Sequence, residues 1–222
     1  MSVVVYWDII QPKDLQDKLD EILSPRLIEL GLVWRGDKAW VEPGPVPLRR
    51  MIRLIPLKGL RAVIGWGYSL NFVPHLTGTE LRYHRTFKSA PLDVFEWPAS
   101  HMNSLPERKA SESVSLLAAK FETSLKSFLD AELPSVALWF KNVRGLPGIE
   151  QELRRQIARP LFAYRAHHPL PSYVLPFVVA ARGEILEAEK LAETGFTKDI
   201  APLLPKLRLS LQRAASASPP ES

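Results

Sequence analysis

The chain of 222 residues carries 29 lysines and arginines against 24 aspartates and glutamates, a formal net charge of +5, with 46% hydrophobic and 24% charged residues. That is room for one generous domain, or a domain with an appendage, and enough apolar content for a sizeable core; a large multidomain enzyme and a disordered chain are excluded. The absence of cysteine removes disulfides, thiolate metal sites and cysteine nucleophiles at once, and suits a reducing cytoplasm.

Twenty prolines against eleven glycines predict short or interrupted helices, because each proline removes a backbone donor and fixes φ. The apolar opening Val3–Trp7 is interrupted by Asp8 and has no basic flank. Neither a secretory signal nor a membrane span is expected, since no stretch nears the ~20 apolar residues of a membrane helix.

From Pro12 to Leu30 the residues Leu15, Leu19, Ile22 and Leu23 recur at helical spacing, with acidic residues between them. Ser24-Pro25 reads as a cap followed by a first-turn proline, so the pattern predicts an amphipathic helix with a joint there, ended at Gly31. The runs Leu32–Arg35 and Ala39–Glu42 flank a Gly36-Asp37 turn and predict a hairpin. Arg49–Leu57 and Arg61–Val73 predict a second antiparallel pair, joined by Lys58-Gly59-Leu60.

Alternation is cleanest where Ala62, Ile64, Trp66, Tyr68, Leu70 and Phe72 share one face and Gly65, Gly67, Ser69 and Asn71 the other. Thr79–Lys88 alternates with opposite parity, with Leu81, Tyr83 and Phe87 against Glu80, Arg82, His84 and Lys88. Pairing that keeps both apolar sets together requires partner numbers summing to an odd value, as with Phe72 opposite Tyr83. Pro74 belongs at a strand end or an edge. A short strand is expected within Leu92–Trp97.

The strongest helical stripe is Val114, Leu117, Ala118, Phe121, Leu125, Phe128 and Leu129. Sheet packed on this helix is the expected arrangement. From Leu133 onward prolines predict a series of short helices, with Tyr173–Arg182 and Glu184–Glu193 forming a helical hairpin at Gly183. Ala214–Ser222 is small, polar and proline-bearing and reads as a disordered tail.

The run from Leu23 through Gly31, Leu32 and the Arg35-Gly36-Asp37 turn to Trp40 resembles the opening of a bacterial family catalogued as domain of unknown function 4304. Leu32 stands where that family more usually has an aromatic. Leu175–Leu191, with its Gly183-Glu184 turn, is similar to the family's helical tail. The resemblance implies an α+β fold and no particular reaction.

Few residues here form a pattern that carries chemistry. Gly65-Trp66-Gly67 lacks the third glycine and following helix of a dinucleotide loop, and fits a strand twist or a close backbone approach instead. His75, His84, His101, His167 and His168 show no metal-ligand spacing. No Gly-x-Ser-x-Gly elbow is present. The sequence therefore predicts no catalytic residue, cofactor or metal. Basic residues concentrate at Arg49, Arg50 and Arg53 and across segment 141–165, which holds Arg154, Arg155 and Arg159.

The resulting expectation is an α+β chain: an N-terminal helix, a twisted antiparallel sheet of four to six strands packed on a long helix, then short helices. Residues 1–132 form the α+β domain, 133–213 a helical subdomain and 214–222 the tail. The expected function is a non-enzymatic, cytoplasmic interaction module that binds another protein and no membrane. Its candidate binding residues are Arg49, Arg53, Arg82, His84, Lys88, Arg154, Arg155 and Arg159. Nucleic-acid binding through segment 141–165 is one alternative, and a hydrolase without a recognisable motif is another.

Overall fold

A computed structural model describes residues 8–77, 80–84, 86–96, 98, 113–158, 169–196 and 203–216. The chain is α+β. In order, the elements are α1 (Pro12–Leu27), β1 (Val33–Gly36), β2 (Ala39–Val41), β3 (Leu48–Leu57), β4 (Arg61–Leu70), β5 (Pro74–Thr77), β6 (Glu80–Tyr83), β7 (Val94–Glu96) and β8 (Val114–Ser115). The helices α2 (Ala118–Asn142), α3 (Gly145–Ala158), α4 (Pro171–Ala181), α5 (Ile185–Gly195) and α6 (Leu204–Ser216) follow.

The main sheet runs β1-β2-β3-β4-β7, with β8 also paired to β4. The strands β5 and β6 form a separate two-stranded ribbon. Two compact units share the chain. One comprises Met1–Glu42, Met51–Trp66 and Glu96–Leu138; the other comprises Pro43–Arg50, Gly67–Phe95 and Trp139–Ser222. Each draws on three separate stretches of the sequence, and β3, β4, β7 and α2 each supply residues to both.

In the first unit, α1 buries Leu15, Leu19, Leu23 and Leu27, four residues apart along one face. The expected joint at Ser24-Pro25 is absent, and the helix continues through Pro25. Ser24 does not cap; its hydroxyl bonds Asp20 and accepts the Trp40 indole N–H at 2.8 Å. The helix ends in a 3-10 turn, Ile28–Leu30, closed by Gly31 at φ 72, a left-handed position that glycine occupies without strain.

The β1–β2 hairpin turns through Asp37 and Lys38, both at positive φ, and pairs Trp34 with Trp40 and Val33 with Val41. Ion pairs Lys18–Glu122 and Arg26–Asp130 sit eight residues apart on both α1 and α2, so the two helices run parallel. Val114, expected in the long helix, lies in β8. The Ser115 N–H donates to Ser124 Oγ at 2.9 Å, tying that strand to α2.

Two further expectations fail. The helix α2 continues through Pro134, and residues 62–70 of β4 are buried on both faces instead of one. A proline inside a helix leaves one carbonyl four residues back without its donor; here that residue is exposed Asp130, open to solvent. In β4 the glycines and Ser69 leave a smooth face that other backbone can approach closely. A Cβ on Gly67 would lie 1.8 Å from the Val94 carbonyl oxygen, which fits the close-approach reading of that glycine.

In the second unit, α4 is apolar all round, with Tyr173–Ala181 buried, and packs against α3, α5 and α6. The predicted α4–α5 hairpin forms at Gly183, φ 89. Side chains lock these helices to strand segments. Tyr68 Oη donates to the Val143 carbonyl at 2.6 Å, Gln156 Nε2 to the Phe95 carbonyl at 2.9 Å and Tyr173 Oη to the Pro74 carbonyl at 2.7 Å. Ala214, placed by sequence in a disordered tail, is buried within α6, because the apolar stripe Leu207, Leu211 and Ala214 continues to the helix end.

Candidate functional site

The expected long hairpin from β4 is shorter and displaced. The strand β4 stops at Leu70, Asn71–Val73 turn, and Pro74 opens β5, a first-strand position where its missing N–H is tolerated. The ribbon pairs Pro74 with Tyr83, His75 with Arg82, Leu76 with Leu81 and Thr77 with Glu80. Every pair sums to an odd value, as the parity argument requires, but Tyr83 meets Pro74 in place of Phe72. One face therefore carries His75, Thr77, Glu80, Arg82 and the following His84; the other carries Leu76, Leu81 and Tyr83.

Beneath the polar face lies Asp93, just before β7, with its side chain fully buried. Its amide donates to the Tyr68 carbonyl at 2.9 Å. The carboxylate accepts from the Leu70 N–H at 2.6 Å and meets His75 Nε2 at 2.5 Å. The ring of His84 stands edge-on to that of His75, with centroids 4.9 Å apart. Burial pushes the Asp93 carboxyl up from its ordinary value, against the opposing pull of His75 and the Leu70 amide. Burial also lowers His84, assisted by His75 and Arg82. Tyr173, buried behind Pro74, is raised for the same reason.

This arrangement fixes one imidazole by a buried carboxylate and sets a second imidazole against it. Such a pair can present an oriented N–H or accept a proton. Among the described residues no group of three or more histidines, aspartates and glutamates is placed to hold a metal ion.

The sequence-derived binding residues do not converge. Arg82 is exposed and paired with Glu80 at 3.2 Å, and it shares the polar ribbon face with His84. Lys88, expected in the same strand, is exposed in a turn that follows it, because the strand ends at Tyr83. Arg49 is buried at 4% exposure and does not belong to a solvent-facing patch. Arg53 belongs to the first unit and donates to Asp37 at 2.9 Å.

On α3, Arg154 Nε donates to Glu150 at 2.8 Å and its Nη2 to Glu187 at 2.6 Å, while Arg155 Nε donates to Glu152 at 2.6 Å. Their charge is thus matched within the fold. Arg159 lies outside the described residues, as do His101, His167 and His168.

His75 and Asp93 escaped the sequence reading. The signal for Asp93 was a lone carboxylate inside the apolar run Leu92–Phe95, a position where only a partnered acid is stable. For His75 it was the register: once pairs sum to an odd value, residues 75, 82 and 84 fall on one face.

Comparison with known proteins adds no assignment: no family model, no curated protein and no solved structure matches this chain. Among the described residues no helix is long and apolar enough to cross a membrane.

Proposed function

We propose that the chain is a non-enzymatic interaction module whose contact surface is the polar face of the β5–β6 ribbon, and that its partner is a protein presenting acidic or hydrogen-bond-accepting groups there. The observation that carries this reading is the anchoring of His75 on buried Asp93 beside His84. Burying a carboxylate opposes stability. Its effect is to fix side chains on a ribbon face, and a fixed side chain loses less conformational entropy on binding. Exposed Lys88 adds positive charge nearby, and Arg82 on the ribbon face is shared with Glu80.

The test is capture from native lysate with the wild-type chain and with R82E/K88E. Partners held reproducibly at physiological salt by the wild type and lost by the variant support the reading. Identical partner sets for both proteins contradict it.

One observation favours a second reading, acid–base chemistry. A carboxylate bonded to one imidazole nitrogen selects a tautomer and leaves the other nitrogen to take a proton. Turnover of p-nitrophenyl acetate or bis(p-nitrophenyl) phosphate that disappears in His75→Gln would support it; equal rates for both proteins would remove it. Nucleic-acid binding through segment 141–165 has no such support, since Arg154 and Arg155 are held by glutamates.

A further inference from the structure

The opposite, apolar face of the ribbon meets α6 without closing completely. Tyr83 donates its hydroxyl to Ser210 Oγ at 2.8 Å, and two hollows open on this side of the contact. One, of about 510 Å³, is lined by Asn71, Phe72, Tyr83, Leu209, Gln212 and Arg213. The other, of about 370 Å³, reaches from Tyr83, Leu209 and Arg213 to Lys206. Their shared residues make them one groove along the helix. Both volumes lie near the range of sites that hold small ligands or peptide side chains.

Three features of this groove select an occupant. Leu209 is 57% exposed, a large apolar side chain standing in open space. Arg213 and Lys206 have no carboxylate partner among the described residues, whereas Arg208 on the same helix is paired with Glu193. Glu80, the acid at the groove's margin, is engaged by Arg82. The two free cations are seven residues apart, about 10 Å along a helix axis. In an extended peptide, residues four apart share a face and lie about 13 Å apart at about 3.3 Å each, a difference from the helix spacing that the long lysine and arginine side chains span.

We propose that the groove along α6 binds an extended acidic peptide in which two carboxylates four residues apart flank a central apolar side chain, all three on one face of the strand. The carboxylates reach Lys206 and Arg213, the apolar side chain packs on Leu209 and Tyr83, and Gln212 and Asn71 offer amides to the peptide backbone. A nucleic acid fits less well, because Phe72 is only 5% exposed and Tyr83 is tethered through its hydroxyl, leaving no open stacking platform. This site is separate from the polar ribbon face, so either can fail alone.

The test uses the full chain and fluorescence anisotropy of a fluorescein-labelled Gly-Ser-Glu-Ser-Leu-Ser-Asp-Ser-Gly peptide. Its arms are the same peptide with lysine in place of both acids, and a labelled oligothymidylate. Saturable binding of the acidic peptide alone is expected, weakened about tenfold or more in K206E/R213E as two charge-assisted contacts are lost. Leu209→Ser, an exposed change that leaves the fold intact, is expected to weaken it several-fold. The charge-matched control K141E/R144E, on exposed residues elsewhere, is expected to bind as the wild type does. Absence of saturable binding, equal weakening in the control, or tighter binding of the oligonucleotide would overturn the proposal.

Discussion

The imidazole of His75 and the carboxylate of Asp93 meet at 2.5 Å across the base of the β5–β6 ribbon, and the same carboxylate accepts the last amide of β4, that of Leu70. One buried side chain thereby joins the end of a long strand, a separate ribbon and the segment leading into β7. Removing it leaves a buried amide and an imidazole without their acceptor. Asp93→Ala is expected to cost about 3 kcal/mol, and Asp93→Asn less, because an amide oxygen can still accept from Leu70. Urea unfolding monitored by circular dichroism measures both.

Two groups of this cluster give opposite pH dependence. His84 is lowered in the folded state by burial first and then by His75. The unfolded chain therefore binds the proton more readily, and His84 contributes stability that is present above the ordinary histidine value, about 6.5, and lost as pH falls through its lowered value. Asp93 is raised by burial; its contribution is complete below the ordinary aspartate value and lost as pH rises through the raised one. Unfolding midpoints are expected to fall as pH drops below about 6.5, and His84→Gln is expected to flatten that slope.

Gly67 approaches β7 so closely that no side chain fits. A Cβ there would lie 1.8 Å from the Val94 carbonyl oxygen and 2.6 Å from the Phe95 Cα, both backbone atoms that cannot rotate away. Gly67→Ala is expected to destabilise by about 3 kcal/mol or more and to detach β7 from β4. Hydrogen exchange would show this as lost protection of the Asp93 amide, which donates to Tyr68.

Glu150 on α3 holds both Arg154 of its own helix and Arg182 at the end of α4. Burial by itself raises its carboxyl, but the two guanidiniums together leave it below the usual range. Its contribution is present above the ordinary glutamate value and lost as pH falls through the lowered one. Because both arginines are partly exposed, Glu150→Gln is expected to cost only about 1–2 kcal/mol. The thermal midpoint of the variant against the wild type at neutral pH measures this.

Parity along the chain was enough to put Arg82 and His84 on one face and Leu81 and Tyr83 on the other, because alternation is a property of extended backbone itself. It was not enough to end β4 at Leu70. Asn71–Val73 read equally well as strand, and the turn there is set by tertiary bonds such as Asp93 to Leu70. Helix breaks were over-predicted for a similar reason. Pro25 and Pro134 each remove one donor, and burial of Leu23 and Leu27 on one side, or Phe128, Leu129 and Val136 on the other, outweighs it. The arginines of α3 looked like a patch because glutamates that neutralise them, Glu150 and Glu187, come from neighbouring turns or another helix.

The account turns on the polar face of the ribbon being a contact surface. Photo-crosslinking tests it most directly, with benzoylphenylalanine placed at Thr77, exposed on that face, and at Leu186 on α5, 78% exposed in the same unit. Irradiation in native lysate is expected to give discrete protein adducts from position 77 and none from 186. Adducts from 186 with none from 77 would contradict it.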